Sequence, residues 1–171
     1  MSHPNQMAFV AGIRDRFPDY FVGKNVLEIG SLDINGSVRQ FFTDCDYTGV
    51  DLGNGPGVDI VCKGHEVPFA DRSFDTVISC ECLEHDRYWV QTFQKMYDVC
   101  DGLIIMTCAT TGRAEHGTTR TSPEAAPFTN DYYQNLTAKD FRNNFDLLNM
   151  FQGSGFEVNE ESYDLYFWGI R

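Results

Sequence analysis

The chain has 171 residues, of which 42% are hydrophobic and 14% aromatic, so it is expected to fold around a buried core. Its 25 acidic and 13 basic residues give a net charge of −12, which disfavours nucleic acid as substrate or partner because phosphate contacts need lysine and arginine. No apolar run approaches the roughly 20 residues of a membrane span, and the N-terminus has no secretory signal pattern, so a cytoplasmic protein without a membrane partner is expected.

The first half of the chain alternates helical and strand patterns. Apolar residues at helical spacing predict a helix over residues 5–17, within an N-terminal segment of residues 1–24. Residues 35–42 are predicted to start a second helix, with Asn35 as its N-cap. Short apolar runs predict four buried strands, at residues 25–30, 46–52, 57–62 and 74–80.

The second half continues the alternation and adds one long loop. An amphipathic helix is predicted over residues 85–100 and a strongly apolar strand over residues 102–108. Residues 109–136 are polar and rich in Thr, Pro and Gly, and we expect them to form a lid or acceptor loop. Thr137 then caps a helix predicted to run to the glycines near residue 155. The last two predicted strands are residues 156–162 and 163–170.

This order of elements predicts the fold class. Buried strands that alternate with helices form a mostly parallel sheet with right-handed crossovers. The closing strands are separated by almost no turn, so they must pair as an antiparallel hairpin. The prediction is a single α/β domain over residues 1–171: a three-layer, Rossmann-like arrangement of seven strands, mostly parallel, with an antiparallel C-terminal hairpin.

The ends of the first two predicted strands indicate a nucleoside site. Gly30 closes the first strand, and Asp51 ends the second 21 residues later, where nucleoside-binding folds place an acceptor for ribose hydroxyls. Each residue alone could serve only a turn, but the two at this spacing in a β-α-β context favour the ligand. A dinucleotide is disfavoured, because Leu32 and Asn35 stand where the second and third glycines of a dinucleotide turn would be.

Three stretches resemble the class I S-adenosylmethionine-dependent methyltransferases, in particular the type 11 group, over about residues 25 to 108. "VLEIGS" and "YTGVDL" look like the first two motifs of that family. "HEVPFADRSFDTVISCECLEH" is similar to its segment of an acidic-leucine-Pro-Phe turn, Phe-Asp, a strand and Glu-His. The resemblance implies methyl transfer from S-adenosylmethionine, with S-adenosylhomocysteine as product, to a small-molecule or sugar-like acceptor.

The resemblance also implies roles for individual cofactor-binding residues. Glu28, Gly30 and Ser31 would surround the methionine end of the cofactor, which Cys80 and Glu81 would also face. Asp51 would hold the ribose and Leu52 would pack on the adenine. Gly64 and His65 lie in the loop that usually caps the adenine.

The sequence departs from the family pattern at two places. Leu32 and Ile34 replace the later glycines of the first motif, and Lys63 stands where an acid often binds the adenine amino group. These departures leave a second hypothesis open, a binding or regulatory module that keeps the fold without the chemistry. A nicotinamide oxidoreductase is a third and weaker hypothesis.

Candidate catalytic residues follow the fourth strand and lie in the long loop. His85 and His116 are predicted as bases for an acceptor hydroxyl, because a near-neutral pKa suits that task. Arg113, Tyr132 and Tyr133 are predicted to recognise the acceptor. The alternatives are that His85 only begins the next helix and that the loop is merely solvated.

Two further features bear on metal binding and assembly. Cys80 and Cys82 with nearby His85 fall short of a four-ligand zinc site, so no metal is predicted and the six cysteines are expected as reduced thiols. The aromatic last strand could be an edge of the core or a homodimer surface. Asp164 beside it is expected to be a solvated turn charge.

Overall fold

The computed structural model describes residues 2–171. The helices are α1 (Pro4–Arg16), α2 (Trp89–Val99), α3 (Ala138–Asn144) and α4 (Leu147–Met150). The strands are β1 (Asn25–Ile29), β2 (Asp46–Asp51), β3 (Ile60–Val61), β4 (Phe74–Cys80), β5 (Cys100–Ala109), β6 (Gly153–Asn159) and β7 (Asp164–Ile170). No helix within the described residues has both the length and the apolarity to cross a bilayer.

One seven-stranded sheet organises the molecule, in the order β3-β2-β1-β4-β5-β7-β6. The first five strands run parallel, whereas β7 is antiparallel to β5 and to β6. The predicted α/β domain with a mostly parallel sheet and an antiparallel C-terminal hairpin is confirmed. The order reverses between β1 and β4, and this reversal opens a crevice at the carboxyl ends of the strands.

The connection between β1 and β2 corrects the prediction of a helix capped by Asn35. Gly36 has φ +132°, outside the helical region, and only a 3₁₀ turn at Val38–Phe41 follows, with the Ser37 side chain as its cap. Asn35 binds elsewhere: its side-chain oxygen accepts from the Ser2 N–H at 2.9 Å, and its amide donates to the Ser2 carbonyl at 2.8 Å.

The helix predicted from Thr137 to the glycines is also corrected. Thr137 does cap α3, in a reciprocal capping box with Asp140. The helix then stops at Phe145, whose backbone is extended and whose ring is buried against Phe93 at a centroid distance of 4.9 Å. Burial of this large side chain decides the local backbone, so α4 is a separate short helix. The glycines beyond it, near Gly153, belong to β6.

Two apolar layers fix the sheet from both faces. The larger layer packs α2, α3 and α4 on one face, around Phe93, Phe141 and Phe167. The smaller layer packs α1 on the other face, around Val10 and Ile105. Each fully buried side chain of this size contributes roughly 1.5–3 kcal/mol. The strand ends that carry the candidate site are therefore supported by packed apolar side chains on both faces of the sheet. All six cysteines are free thiols.

Candidate functional site

A cavity of ≈ 330 Å³ lies at the carboxyl ends of β1, β2 and β4. It occupies the crevice where the strand order reverses, the position at which open α/β sheets bind ligands. Eight of the residues predicted to bind cofactor or acceptor or to catalyse the reaction line it: Gly30, Asp51, Leu52, Gly64, Cys80, Glu81, His85 and Tyr132. The strand ends and the long loop thus meet at one place.

Gly30 shapes the turn that leaves β1. Its φ is +83°, and its N–H donates to the Val50 carbonyl at 2.8 Å. A Cβ at this position would lie 2.5 Å from Cβ of Cys82, which is closer than side-chain atoms approach. Both the backbone conformation and the close contact with Cys82 therefore require glycine, as expected for a turn against which a ligand packs.

Asp51 is held in place by the backbone at the tip of β2. Its carboxylate accepts from the Leu32 N–H at 3.1 Å and from the Gly53 N–H at 3.2 Å. A carboxylate has about four acceptor positions, so two remain for donors of a ligand in the cavity. Leu52, the next residue, is 40% exposed and lines the same wall.

Glu28 and Ser31 line a smaller neighbouring cavity of ≈ 30 Å³ beside the Gly30 turn. Glu28 accepts a hydrogen bond from the Tyr47 hydroxyl at 2.7 Å. Burial raises the pKa of Glu28 to about 7, against the hydrogen bond from Tyr47, which lowers it. Both residues are therefore adjacent to the main cavity without lining it.

His65 does not line the cavity. Its ring packs on Tyr88 at a centroid distance of 4.6 Å, and its Nε2 lies 3.6 Å from the Glu66 carboxylate. Lys63 does line the wall, and its Nζ pairs with Glu66 at 2.8 Å. The Lys63 side chain, which differs from the family pattern, therefore faces the cavity where a ligand would bind.

Asp164 is not a solvated charge, which corrects the expectation. It is fully buried, with one carboxylate oxygen 2.9 Å from Nε2 of His3 and the other 3.2 Å from Nη1 of Arg113. Contacts with Asp164 and then Glu81 raise the pKa of His3 to about 9, so the ring is cationic near neutral pH. Arg113, predicted to recognise the acceptor, is already bonded to Asp164 and to the Ser162 carbonyl.

His3 was not predicted from the sequence. The residue is the N-cap of α1, where its Nδ1 accepts from the Gln6 N–H at 3.4 Å. Its position just before a helix that begins with proline was the available signal for a cap. The distant carboxylate that it meets could not be read from the sequence.

The structure brings both predicted catalytic histidines together. His85 lies in a 3₁₀ turn, Leu83–His85, that precedes α2, and its ring centroid is 4.9 Å from that of His116. The ring of Tyr133 packs on both histidines, at 5.4 and 5.0 Å. Burial and then His116 lower the pKa of His85 to about 4, and burial also lowers the pKa of His116. Both imidazoles are thus neutral at pH 7.

Glu84 was also missed as a candidate. Its side chain is fully buried, and neither carboxylate oxygen has a hydrogen-bond partner among the described residues. Burial, and then the nearby Glu81 carboxylate, raise the pKa of Glu84 to about 8. The Glu-His pair at the end of β4 was the available signal.

The loop of residues 110–136 is packed onto the domain. Its Gln134 N–H donates to the Glu84 carbonyl at 2.8 Å, and its Leu136 N–H donates to the Ala109 carbonyl at 2.9 Å. The Phe128 ring occupies the space that a Cβ at Gly53 would need, two residues after Asp51. Residues 125–130 consequently form one wall of the cavity.

The chain matches a known protein family over part of its length. Residues 27–105 match the family model described as "Methyltransferase domain". No protein of curated function matches the sequence. The matched segment contains the end of β1, all of β2 to β4 and α2, and the first part of β5. It therefore includes the Gly30 turn, Asp51 and the Glu84-His85 pair, and it ends before the long loop.

Several solved structures share the fold. The 1,6-didemethyltoxoflavin-N1-methyltransferase of Burkholderia thailandensis, with bound 1,6-didemethyltoxoflavin and S-adenosylhomocysteine, is 14% identical with TM-score 0.66, over 97% of this chain and 78% of that one. Phosphoethanolamine N-methyltransferase 2 of Haemonchus contortus, in complex with S-adenosylmethionine, is 17% identical with TM-score 0.67, over 96% of this chain and 52% of that one. This chain spans about half of the Haemonchus enzyme.

A third solved structure was determined with a sugar present. The N-terminal domain of EvdMO1, in the presence of S-adenosylhomocysteine and D-fucose, is 15% identical with TM-score 0.66, over 99% of this chain and 84% of that one. At these identities the likeness is one of fold.

Proposed function

Given that the chain carries a methyltransferase domain over residues 27–105, we propose that it transfers a methyl group from S-adenosylmethionine to a small-molecule or sugar-like acceptor. One observation carries the proposal: the Gly30 turn and the Asp51 carboxylate meet in a single cavity at the reversal of strand order. The net charge of −12 disfavours a nucleic-acid acceptor.

The residues present fit the cofactor. Asp51 has two free acceptor positions for the two ribose hydroxyls, and Leu52 offers an apolar face to the adenine. The Gly30 turn allows close approach of the methionine end. Glu81 is buried and neither of its carboxylate oxygens accepts a hydrogen bond, although one lies 3.8 Å from Nε2 of His3, so the carboxylate could accept from the α-ammonium group.

The other residues predicted to bind the cofactor have fewer free groups facing the cavity. Glu28 and Ser31 contribute to the adjoining small cavity and support the Gly30 turn. His65 acts on the adenine loop only through its packing on Tyr88. Cys80 lines the cavity at the end of β4, next to Glu81.

When bound, S-adenosylmethionine supplies an electrophilic methyl group, and the chain aligns the acceptor with it. The loop wall of residues 125–130 excludes water from the cavity. Neutral His85 lines the cavity and can accept a proton from an acceptor hydroxyl, with His116 beside it. Tyr132 lines the acceptor side, whereas Arg113 and Tyr133 position that wall through their bonds to Asp164 and Asn135.

Calorimetric titration with S-adenosylhomocysteine tests the proposal. Asp51→Ala removes hydrogen bonds from two hydroxyls to a charged acceptor, each worth about 1.5–3 kcal/mol, so affinity should fall by about 100-fold or more. The matched control is Asp75→Ala, because Asp75 also accepts from a backbone N–H, that of Asn25 at 2.9 Å, but lies at the start of β4. The Asp75→Ala variant should bind S-adenosylhomocysteine with the affinity of the unaltered chain.

Two outcomes would contradict the assignment. An unaltered chain that fails to bind S-adenosylhomocysteine at millimolar concentration would favour a non-catalytic module with this fold. Binding of NAD(H) in its place would favour an oxidoreductase.

A further inference from the structure

We propose that Glu84, His85 and His116 form a binding site for one divalent cation of the zinc class, at the wall of the cavity. One ligand atom from each of the three side chains lies within 4.8 Å of the other two. Cation binding is independent of the proposed methyl transfer. Only its consequence for the acceptor, given below, rests on that function.

The carboxylate of Glu84 is the first argument. The side chain is completely buried, and neither of its oxygens has a hydrogen-bond partner among residues 2–171. A buried carboxyl group without a partner costs several kcal/mol in an apolar environment, and native structures rarely leave one. A cation beside these oxygens would remove that cost. The proton-acceptor role proposed for one imidazole leaves Glu84 unexplained.

The orientation of the two histidines is the second argument. Nδ1 of His85 lies 3.4 Å from the carbonyl oxygen of Tyr132, and Nδ1 of His116 lies 3.1 Å from that of Ala114. A proton on each Nδ1 would point at a carbonyl, which leaves each Nε2 with a free lone pair. Histidines that bind metals are typically oriented in this way, by a carbonyl or carboxylate on the other ring nitrogen.

The backbone around the cluster lets the segment that carries His116 approach His85 closely. Gly117 has φ +68°, and a Cβ there would lie 2.8 Å from Cε1 of His85. Glycine at this position therefore lets the segment carrying His116 lie against the turn after β4. The Gln134 N–H bonds the Glu84 carbonyl at the other end of the loop. A cation held here would join the loop to the sheet.

A second cluster in the molecule serves as a comparison. His3, Glu81 and Asp164 also bring three ligand atoms within 4.8 Å. However, Nδ1 of His3 already accepts from the Gln6 N–H, and Nε2 lies 2.9 Å from Asp164, which also pairs with Arg113. Cationic side chains thus already balance this buried carboxylate. Of these two clusters among residues 2–171, only the one at Glu84 combines free imidazole nitrogens with an unpartnered carboxylate.

The donor set indicates the class of cation and its use. Two imidazole nitrogens and one carboxylate suit zinc and its neighbours, and three protein ligands leave a coordination position for water or a substrate oxygen. His85 lines the cavity, so that position would be next to the acceptor. If the proposed methyl transfer holds, the cation would bind the acceptor oxygen and lower the pKa of its hydroxyl, with His85 as a ligand instead of a base. The hydroxyl proton would then leave to water, and the oxygen would take the methyl group as the S–CH₃ bond breaks and S-adenosylhomocysteine leaves.

Cobalt(II) titration of the chelator-treated chain tests the site. One equivalent should bind and give visible d–d absorption of a low-coordinate nitrogen and oxygen site. Glu84→Gln and His116→Ala should each weaken binding by more than about 100-fold, since each removes a ligand. His3→Asn is the matched control, because it removes the histidine of the second cluster and keeps a helix-capping side chain. Its affinity should not change.

Other results would overturn the proposal. These are no cobalt binding, near-ultraviolet thiolate charge-transfer bands from the free cysteines, or full affinity in both ligand variants. His116 is only half-buried and lies in the loop, so its variant keeps the test valid if Glu84→Gln fails to fold. Titration of the same samples with S-adenosylhomocysteine separates the two proposals, because cofactor binding without cobalt binding overturns this one alone.

Discussion

The two sides of the cavity are built by different means. The side at β1 and β2 is fixed by backbone: Gly30 has a left-handed conformation, and Asp51 is held by two N–H groups. The side at β4 and the long loop is fixed by side chains, with Glu84 and His85 meeting His116 from a distant segment. A backbone-built site lies within a short window of sequence. A site of converging side chains depends on how the loop folds back.

The largest effect is expected where the backbone-built side is forced to accept a side chain. Gly30→Ala would strain a positive φ by about 1–2 kcal/mol and press a Cβ against Cys82, at about 1–3 kcal/mol more. The turn must shift, so S-adenosylhomocysteine affinity should fall by about 100-fold or more. Urea unfolding and calorimetric titration measure the two effects.

Gly23→Ala is the matched control for that variant. Gly23 has φ +64°, yet a Cβ there would meet no atom within 4 Å. It should therefore cost only the conformational strain, about 1–2 kcal/mol, and leave cofactor affinity unchanged. Equal losses of stability in the two variants would mean that contact with Cys82 does not matter, and the description of this side as backbone-built would fail.

A second effect is expected at the ion pair of His3 with Asp164, which contacts the other side of the cavity through Glu81. The pKa of His3 is raised from 6.5 to about 9, chiefly by Asp164 and then Glu81. A raised pKa means that the cationic ring stabilises the fold fully below pH 6.5, and that this stability is lost as pH rises through about 9. His3→Asn should therefore be less stable than the unaltered chain at low pH, by at most about 3 kcal/mol.

Urea midpoints of both proteins at a pH of about 6 and of about 10 check this prediction. The difference in urea midpoint between the two proteins should be smaller at the higher pH. Comparing the variant with the unaltered chain removes the contribution of Glu28, whose pKa is also raised, to about 7. A gap that stays constant with pH would mean that His3 acts only as a helix cap, and that Asp164 is neutralised by Arg113 alone.

The same contrast explains what the sequence could predict. The strand pattern, the hairpin and the placement of Gly30 and Asp51 in one cavity follow from periodicity and from a spacing within one β-α-β unit. The contact of His85 with His116 and the burial of Asp164 depend on loop and terminal segments that fold back from a distance. No local pattern encodes those distances.

Local patterns failed where tertiary packing overrode them. Asn35 has the chemistry of an N-cap, but the chain uses Ser37 after a non-helical glycine, and Asn35 binds Ser2. The helix after Thr137 has a correct start, yet burial of Phe145 ends it early. In both cases the residue type was read correctly and a competing contact decided the structure.

The smallest effect is expected at Lys63, where the side chain differs from the acid of the family pattern. Lys63 lines the cavity and pairs with Glu66 in solvent, where such pairs contribute little. Lys63→Asp would supply an acceptor for the adenine amino group, so S-adenosylhomocysteine should bind about 2–10-fold tighter, as one added hydrogen bond of about 0.5–1.5 kcal/mol allows. Lys63→Ala should leave the affinity for S-adenosylhomocysteine near that of the unaltered chain.

S-inosylhomocysteine, which has a carbonyl in place of the amino group, should gain no affinity from Lys63→Asp. An equal gain for both ligands would mean that the change acts through charge alone and that the adenine does not reach this wall.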